Sequence, residues 1–93
     1  MTVENFAPYR FEPVLRQGAD YRLTFVCVGP LPSLSLRLDG VEYPFVADPV
    51  GNTVEVVVPW DRLEDVPDKA RASVIVKTGD VTELLFDGYV VRG

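Results

Sequence analysis

Histidine is absent from this sequence of 93 residues, and cysteine occurs once, as Cys27. Without histidine, the chain lacks the commonest general base, the commonest zinc ligand and every nucleophile that works with an imidazole. One cysteine cannot form an internal disulfide, so the fold does not depend on an oxidising compartment. We expect Cys27 to be buried and inert, because free cysteine is among the most buried residue types. The sequence therefore predicts a protein that is not an enzyme and that holds no cofactor.

Positive charge is also scarce, with nine Lys and Arg residues against 14 Asp and Glu residues and a net charge of −5. The basic residues are scattered singly from Arg10 to Arg92, which predicts no patch for nucleic acid or for an anionic membrane. No apolar run approaches the roughly 20 residues of a transmembrane helix. The start MTVENFAPYRFEP has no apolar core of a signal peptide. We expect a chain made in a cytoplasm, without nucleic-acid or membrane partners.

What the sequence does contain is repeated alternation of apolar and polar residues, the pattern of half-buried β-strands. Asp39-Gly40 predicts a two-residue hairpin turn, since both residue types tolerate positive φ. Pro13 and Pro44 fall inside predicted strands and place them at sheet edges or bulges, because proline cannot donate to a strand ladder. The predicted core consists of Leu23, Phe25, Leu34, Leu36, Leu38, Val54, Val56, Val58, Trp60, Leu63, Val74 and Val76.

The alternation stops at WDRLEDVPD, residues 60–68. Here the spacing predicts one helical turn, capped by Asp61 with Glu64 three residues later and ended by Pro67. We interpret it as a crossover between two sheets. The whole pattern predicts one all-β domain over residues 1–93, an immunoglobulin-like antiparallel β-sandwich of seven or eight short strands, with residues 1–8 as a flexible arm.

Two groups of side chains are candidates for binding. The acidic cluster Asp61, Glu64, Asp65 and Asp68 matches no calcium-loop spacing, so a solvated turn is the preferred interpretation and a cation site the alternative. Trp60 and Tyr43 are candidates for a carbohydrate platform. Core packing is the preferred role for Trp60, because a large ring between a strand end and a crossover usually plugs the end of a sandwich.

The closing segment LLFDGYVVRG, residues 84–93, is the last apolar strand, and Asp87-Gly88 predicts a bulge or a short hairpin within it. Its apolar residues alternate in parity, so they cannot all face one core. The set that points outward is the candidate docking surface, chosen from Leu85, Tyr89, Val90 and Val91.

From about Val14 to the end, the sequence resembles the LtfC-type β-sandwich domains of tailed phages that infect actinobacteria. Family members have an Arg, Gly, acidic and aromatic pattern before an apolar strand, then an acidic helical turn with Leu and Pro, and a closing apolar strand that contains Gly. The matched residues here are Arg16, Gly18, Asp20, Tyr21, Leu63, Pro67, Leu84, Leu85, Gly88, Val90 and Val91.

The resemblance implies a virion structural protein associated with the tail, baseplate or fibre base. It implies docking to other phage virion proteins or to further copies of the same chain, and it brings no catalytic residues. The alternatives are a capsid decoration protein and a carbohydrate-binding module that uses Trp60 and Tyr43 on host glycans.

Overall fold

A computed structural model describes residues 9–93, which form ten strands and one helical turn. The predicted arm at residues 1–8 lies outside the described residues. The elements are β1 (Tyr9–Phe11), β2 (Val14–Leu15), β3 (Tyr21–Val26), β4 (Leu34–Leu38), β5 (Val41–Pro44), β6 (Val46–Asp48), β7 (Thr53–Val58), α1 (Trp60–Leu63), β8 (Arg71–Thr78), β9 (Val81–Tyr89) and β10 (Val91–Arg92).

The strands form a five-stranded sheet in the order β1-β9-β8-β4-β5, a three-stranded sheet β3-β7-β6 and a two-stranded pair β10-β2. The prediction of an all-β fold is confirmed. The prediction of a purely antiparallel sandwich is wrong at two places, because β1 runs parallel to β9 and β10 runs parallel to β2. The immunoglobulin-like assignment stays a prediction.

Ten strands replace the predicted seven or eight because three predicted strands are each divided. Pro13 separates β1 from β2, and Pro44 ends β5 so that the chain continues as β6 in the other sheet. Val90 separates β9 from β10. Both prolines therefore mark strands at sheet edges, as predicted. At Val90 the strand is interrupted without a proline or a turn-forming residue, so the interruption could not be predicted from the local sequence.

The core lies between the two larger sheets and is closed by the crossover. Eight of the twelve predicted core residues are fully buried, and Leu23, Phe25, Trp60 and Val76 are partly buried against them. The core also contains residues from short strands and connections, which are too short to show the alternation of apolar and polar residues used for the prediction. The buried hydrophobic cluster is Leu15, Leu34, Leu36, Leu38, Val54, Val56, Val58, Leu63, Val66, Ala70, Ala72, Val74 and Val90.

The predicted hairpin at Asp39-Gly40 is confirmed. Leu38 pairs with Val41, and φ is 51° at Asp39 and 83° at Gly40. Positive φ at both central residues is the geometry of the turn that matches the twist of antiparallel strands.

The crossover α1 links the three-stranded sheet to the five-stranded sheet, as predicted, but its cap is different. Asp61 makes no capping hydrogen bond. Instead the backbone N–H of Trp60 donates to Asp20 Oδ1 at 2.8 Å, from a residue just before β3. The helical turn ends at Leu63, before Pro67 is reached. A long-range carboxylate thus replaces the local cap that the spacing predicts.

Asp87-Gly88 forms neither a hairpin nor a bulge, because β9 runs straight through it. The irregularity lies at Leu85, since Val74 pairs with Phe86 while Ile75 pairs with Leu84. Gly88 serves a close approach: a Cβ atom there would lie 1.8 Å from the carbonyl oxygen of Phe11. Only glycine lets β1 lie against β9 at this distance.

Candidate docking surface

An exposed apolar surface lies where β9 ends and β10 pairs with β2. It consists of Tyr89, Val91 and Val14, and we call it the terminal apolar surface. The exposed fractions of these side chains are 56%, 37% and 42%. Val91 and Val14 are direct partners in the parallel pairing, so they project on the same side. Exposed apolar side chains that adjoin one another are typical of contact sites, whereas isolated ones are ordinary.

The terminal apolar surface adjoins an open depression of about 500 Å³, which Tyr89 and Val91 line together with Gly88. Charged side chains of both signs line the same depression. The combination of an apolar centre with a charged rim is typical of protein–protein interfaces, and tyrosine is enriched in them. The charged residues are Arg10, Glu12, Lys69 and Asp87.

The surface exists because the chain changes partners at Val90. The Val90 N–H donates to the Ala70 carbonyl, and the Val90 carbonyl accepts from the Lys69 N–H, both at 2.8 Å. On either side of it, Tyr89 pairs with Arg71 in the five-stranded sheet, and the Val91 N–H donates to the Pro13 carbonyl at 2.9 Å. Val90 therefore points into the core while its two neighbours point outward.

This arrangement divides the four predicted docking residues. Tyr89 and Val91 lie together on the surface. Val90 is 1% exposed, and Leu85 is half-buried against the core, so the prediction is wrong for Val90 and Leu85 contributes mainly to packing. Val14 also belongs to the surface. It was not predicted from the sequence, because it is joined there by a parallel pairing with Val91, 77 positions away along the chain.

Arg92 fixes the strand that carries this surface. One guanidinium nitrogen donates to the carbonyls of Leu63 at 2.8 Å and Val66 at 3.1 Å. The guanidinium carbon also lies 5.2 Å from the centre of the Trp60 ring, within cation–π range. The backbone N–H of Arg92 donates to Asp68 Oδ1 at 3.0 Å. These contacts hold β10 against the crossover.

The same contacts bear on the carbohydrate alternative. Trp60 is half-buried against the core, and Arg92 lies over its ring. Tyr43 is also half-buried against the core, from β5 at the edge of the five-stranded sheet. A sugar platform needs an open ring face, and Trp60 offers little of one.

The remaining predicted features have structural roles. Asp68, from the acidic cluster, accepts a hydrogen bond from the backbone N–H of Arg92. The part of the chain from residue 9 onward contains no group of three or more acidic or cysteine side chains placed to hold a metal ion.

Cys27 is half-buried rather than fully buried, and its thiol lies 3.9 Å from the Phe25 carbonyl. No helix within residues 9–93 has the length and apolar character needed to cross a membrane.

The outer face of the five-stranded sheet is different in character, because ion pairs join its strands. Arg71 donates to both carboxylate oxygens of Asp87, at 3.0 and 2.8 Å, which raises the pKa of the guanidinium. Lys77 lies 2.7 Å from Glu42 across β4 and lowers the pKa of that carboxyl. Beneath these side chains Ile75 is buried. Leu84 beside them is 37% exposed, so this face combines paired charges with an exposed apolar side chain.

The structure is a small all-β domain in which the exposed apolar side chains of Tyr89, Val91 and Val14 adjoin one another. Comparison with protein-family models, with curated proteins and with solved structures found no match for this chain. The resemblance to the phage sandwich domains therefore stays a prediction.

Proposed function

We propose that this chain is a non-enzymatic structural protein of a bacteriophage virion, associated with the tail, which docks onto other virion proteins through the terminal apolar surface. The observation that carries the docking role is the set of adjoining exposed side chains of Tyr89, Val91 and Val14 beside a charged rim. Burying such side chains against a partner releases apolar area from water, which is the main driving force of association.

The phage assignment is supported by the resemblance of the sequence, and several matched residues have roles that belong to the fold. Gly18 adopts a φ of 80° in the turn before β3, and Asp20 caps the crossover. Gly88 admits β1, and Val90 is buried where β9 and β10 meet. These roles show that the matched residues contribute to the fold of this chain.

The location is tested by probing purified particles of the phage that encodes the chain with an antibody against it, after heads and tails have been separated. We expect the chain in the tail fraction. Detection in heads alone would support the capsid decoration alternative and overturn the tail assignment. Absence from both fractions would overturn the virion assignment.

The docking surface is tested with the double variant Tyr89→Ser and Val91→Ser, which keeps the buried Val90. We expect the variant to fold but to be lost from the particles. The matched control is Val50→Ser, which removes an equally apolar side chain from a fully exposed turn. Incorporation of the double variant at the level of the control would contradict docking through this surface.

A further inference from the structure

The three-stranded sheet has one edge with the features of a pairing site. Among residues 9–93, β3 pairs with β7 on one side and with no strand on the other. β3 has six residues, with neither proline nor lysine. The other edges are short or interrupted: β1 and β6 have three residues each, and β5 ends in Pro44. Short edges, prolines and charges are the usual protection against strand pairing, and β3 has little of it.

The hydrogen-bonding groups of this free edge follow from the β3–β7 register. The Cys27 N–H donates to the Asn52 carbonyl at 2.9 Å, one position beyond the pair Val26 and Thr53. Hydrogen-bonded pairs alternate along an antiparallel ladder. The odd-numbered residues of β3 therefore bond to β7, and the backbone groups of Arg22, Thr24 and Val26 point away from the sheet.

The side chains next to this edge are complementary to those of a second copy. Glu55 of β7 lies directly beside Thr24, whose hydroxyl donates to its carboxylate at 2.8 Å. Arg22 lies two positions earlier on the same face. If Leu23 of both copies lay on a two-fold axis, Arg22 of each copy would face Thr24 of the other. The Arg22 guanidinium lies 3.7 Å from Glu55 of its own chain, and the pairing would place this ion pair beside Thr24 of the other copy, while Tyr21 of each copy would face Phe25 of the other.

We propose that β3 pairs antiparallel with β3 of a second copy of this chain, which joins the two three-stranded sheets into one six-stranded sheet. The pairing satisfies the free backbone groups of Arg22 and Thr24, and Val26 falls opposite Asp20, just before β3 of the other copy. It places the two Arg22–Glu55 ion pairs next to each other and adds two aromatic pairs across the strands, and such cross-strand pairs stabilise neighbouring strands. This contact adjoins the terminal apolar surface, since Val14 lines one depression with Tyr21 and Arg22, but Tyr89 and Val91 do not line it, so variants at Tyr89 and Val91 test the two proposals independently.

The association is tested by light scattering during size-exclusion chromatography over a dilution series in the micromolar range. We expect the mass to rise with concentration from 10.3 kDa toward twice that value. Thr24→Lys places a lysine opposite Arg22 of the other copy, so we expect at least a tenfold weaker dimer. Val46→Lys is the matched control, since it adds the same charge to the outer face at the opposite edge of the sheet, and it should leave the dimer intact.

Cysteine variants test the register. In a Cys27→Ser background, Leu23→Cys should form a disulfide-linked dimer under oxidising conditions, because the two Leu23 residues meet on the axis. A monomer at every concentration, or a dimer that survives Thr24→Lys and is lost in the Tyr89→Ser and Val91→Ser variant, would overturn the proposal. Cross-linking through Thr24→Cys in place of Leu23→Cys would overturn this register.

Discussion

The chain leaves the five-stranded sheet for a strand of another sheet after β5 and again after β9, and these two changes are fixed in different ways. At the first, Pro44 ends β5, and the Phe45 N–H donates back to Leu34 before β6 begins in the other sheet. At the second, β9 passes through Val90 into β10. Nothing in the local sequence stops β9, and the change depends on contacts from Ala70, Lys69 and Arg92.

The difference shows that a strand is redirected either by what its own residues forbid or by what distant residues bind. Proline acts locally, because it removes an N–H wherever the chain folds. The chain at Val90 is redirected by hydrogen bonds with the connection before β8, and Val91 is held by a hydrogen bond to Pro13 just before β2. The functional consequence lies at the second site, because that change of partner exposes Tyr89 and Val91 together.

The largest effect is expected at Gly88, just before the second change of partner. Gly88→Ala places a Cβ atom 1.8 Å from the Phe11 carbonyl oxygen, so β1 must separate from β9. We expect a loss of about 3 kcal/mol in the free energy of unfolding, measured by chemical denaturation. Gly51→Ala is the control, since its nearest contact would be an ordinary 3.4 Å. Equal stability of the two variants would show that β1 is not held at Gly88.

Consecutive valines provide the next test. Val90→Ala removes two buried methyl groups, and we expect it to cost about 2 kcal/mol. Val91→Ala changes an exposed side chain and should cost about 0.5 kcal/mol or less. Thermal unfolding of the two variants compares the inward-facing Val90 with the outward-facing Val91. If Val91→Ala lowered the free energy of unfolding more than Val90→Ala, the assignment of Val90 to the core and of Val91 to the surface would be wrong.

Arg92 is expected to contribute somewhat less than Val90. Arg92→Ala leaves the carbonyls of Leu63 and Val66 without this donor and removes the cation from the Trp60 ring, for which we expect about 1.5 kcal/mol. Hydrogen exchange should show faster opening of β10 than of β4. Arg92→Lys is the control, because it keeps the charge but not the planar donor geometry, and it should recover only part of the loss.

The crossover is another passage between sheets, and its helix cap comes from a residue distant in the sequence and not from a neighbouring one. Asp20→Ala should cost about 1 kcal/mol, the usual value of a helix cap, because it removes the acceptor of the Trp60 N–H. Asp61→Ala should change the free energy of unfolding by about 0.5 kcal/mol or less. If chemical denaturation showed a larger loss for Asp61→Ala than for Asp20→Ala, Asp61 would be the cap, as the spacing predicts.

The smallest effect is expected at the first change of partner. Pro44 is exposed, and the redirected chain is also held by Phe45, whose ring lies 5.8 Å from that of Phe25 in a stacked arrangement. We expect Pro44→Ala to cost about 0.5 kcal/mol or less and to leave the fold unchanged. A cost comparable to that of Val90→Ala would mean that the proline itself holds the two sheets in register.

Much of the fold can be predicted from the sequence because its signals are local. Leu34, Leu36 and Leu38 alternate with the polar residues Ser35 and Arg37. The turn that follows depends only on the tolerance of Asp39 and Gly40 for positive φ. The candidate site could be predicted only in part. The alternation of side chains along a strand predicts that Tyr89 and Val90 face opposite sides of the sheet, but it does not predict which of them faces the core.

The sequence by itself determined the all-β class, the hairpin at Asp39-Gly40, the core strands and the places where proline interrupts a strand. Each of these depends on backbone geometry or on the period-two alternation of a strand, which are properties of neighbouring residues. Only the tertiary structure decided the cap of α1, the two parallel pairings and the inward direction of Val90. Those features join residues far apart in the chain, and the free energy that selects them is released only when the sheets pack together.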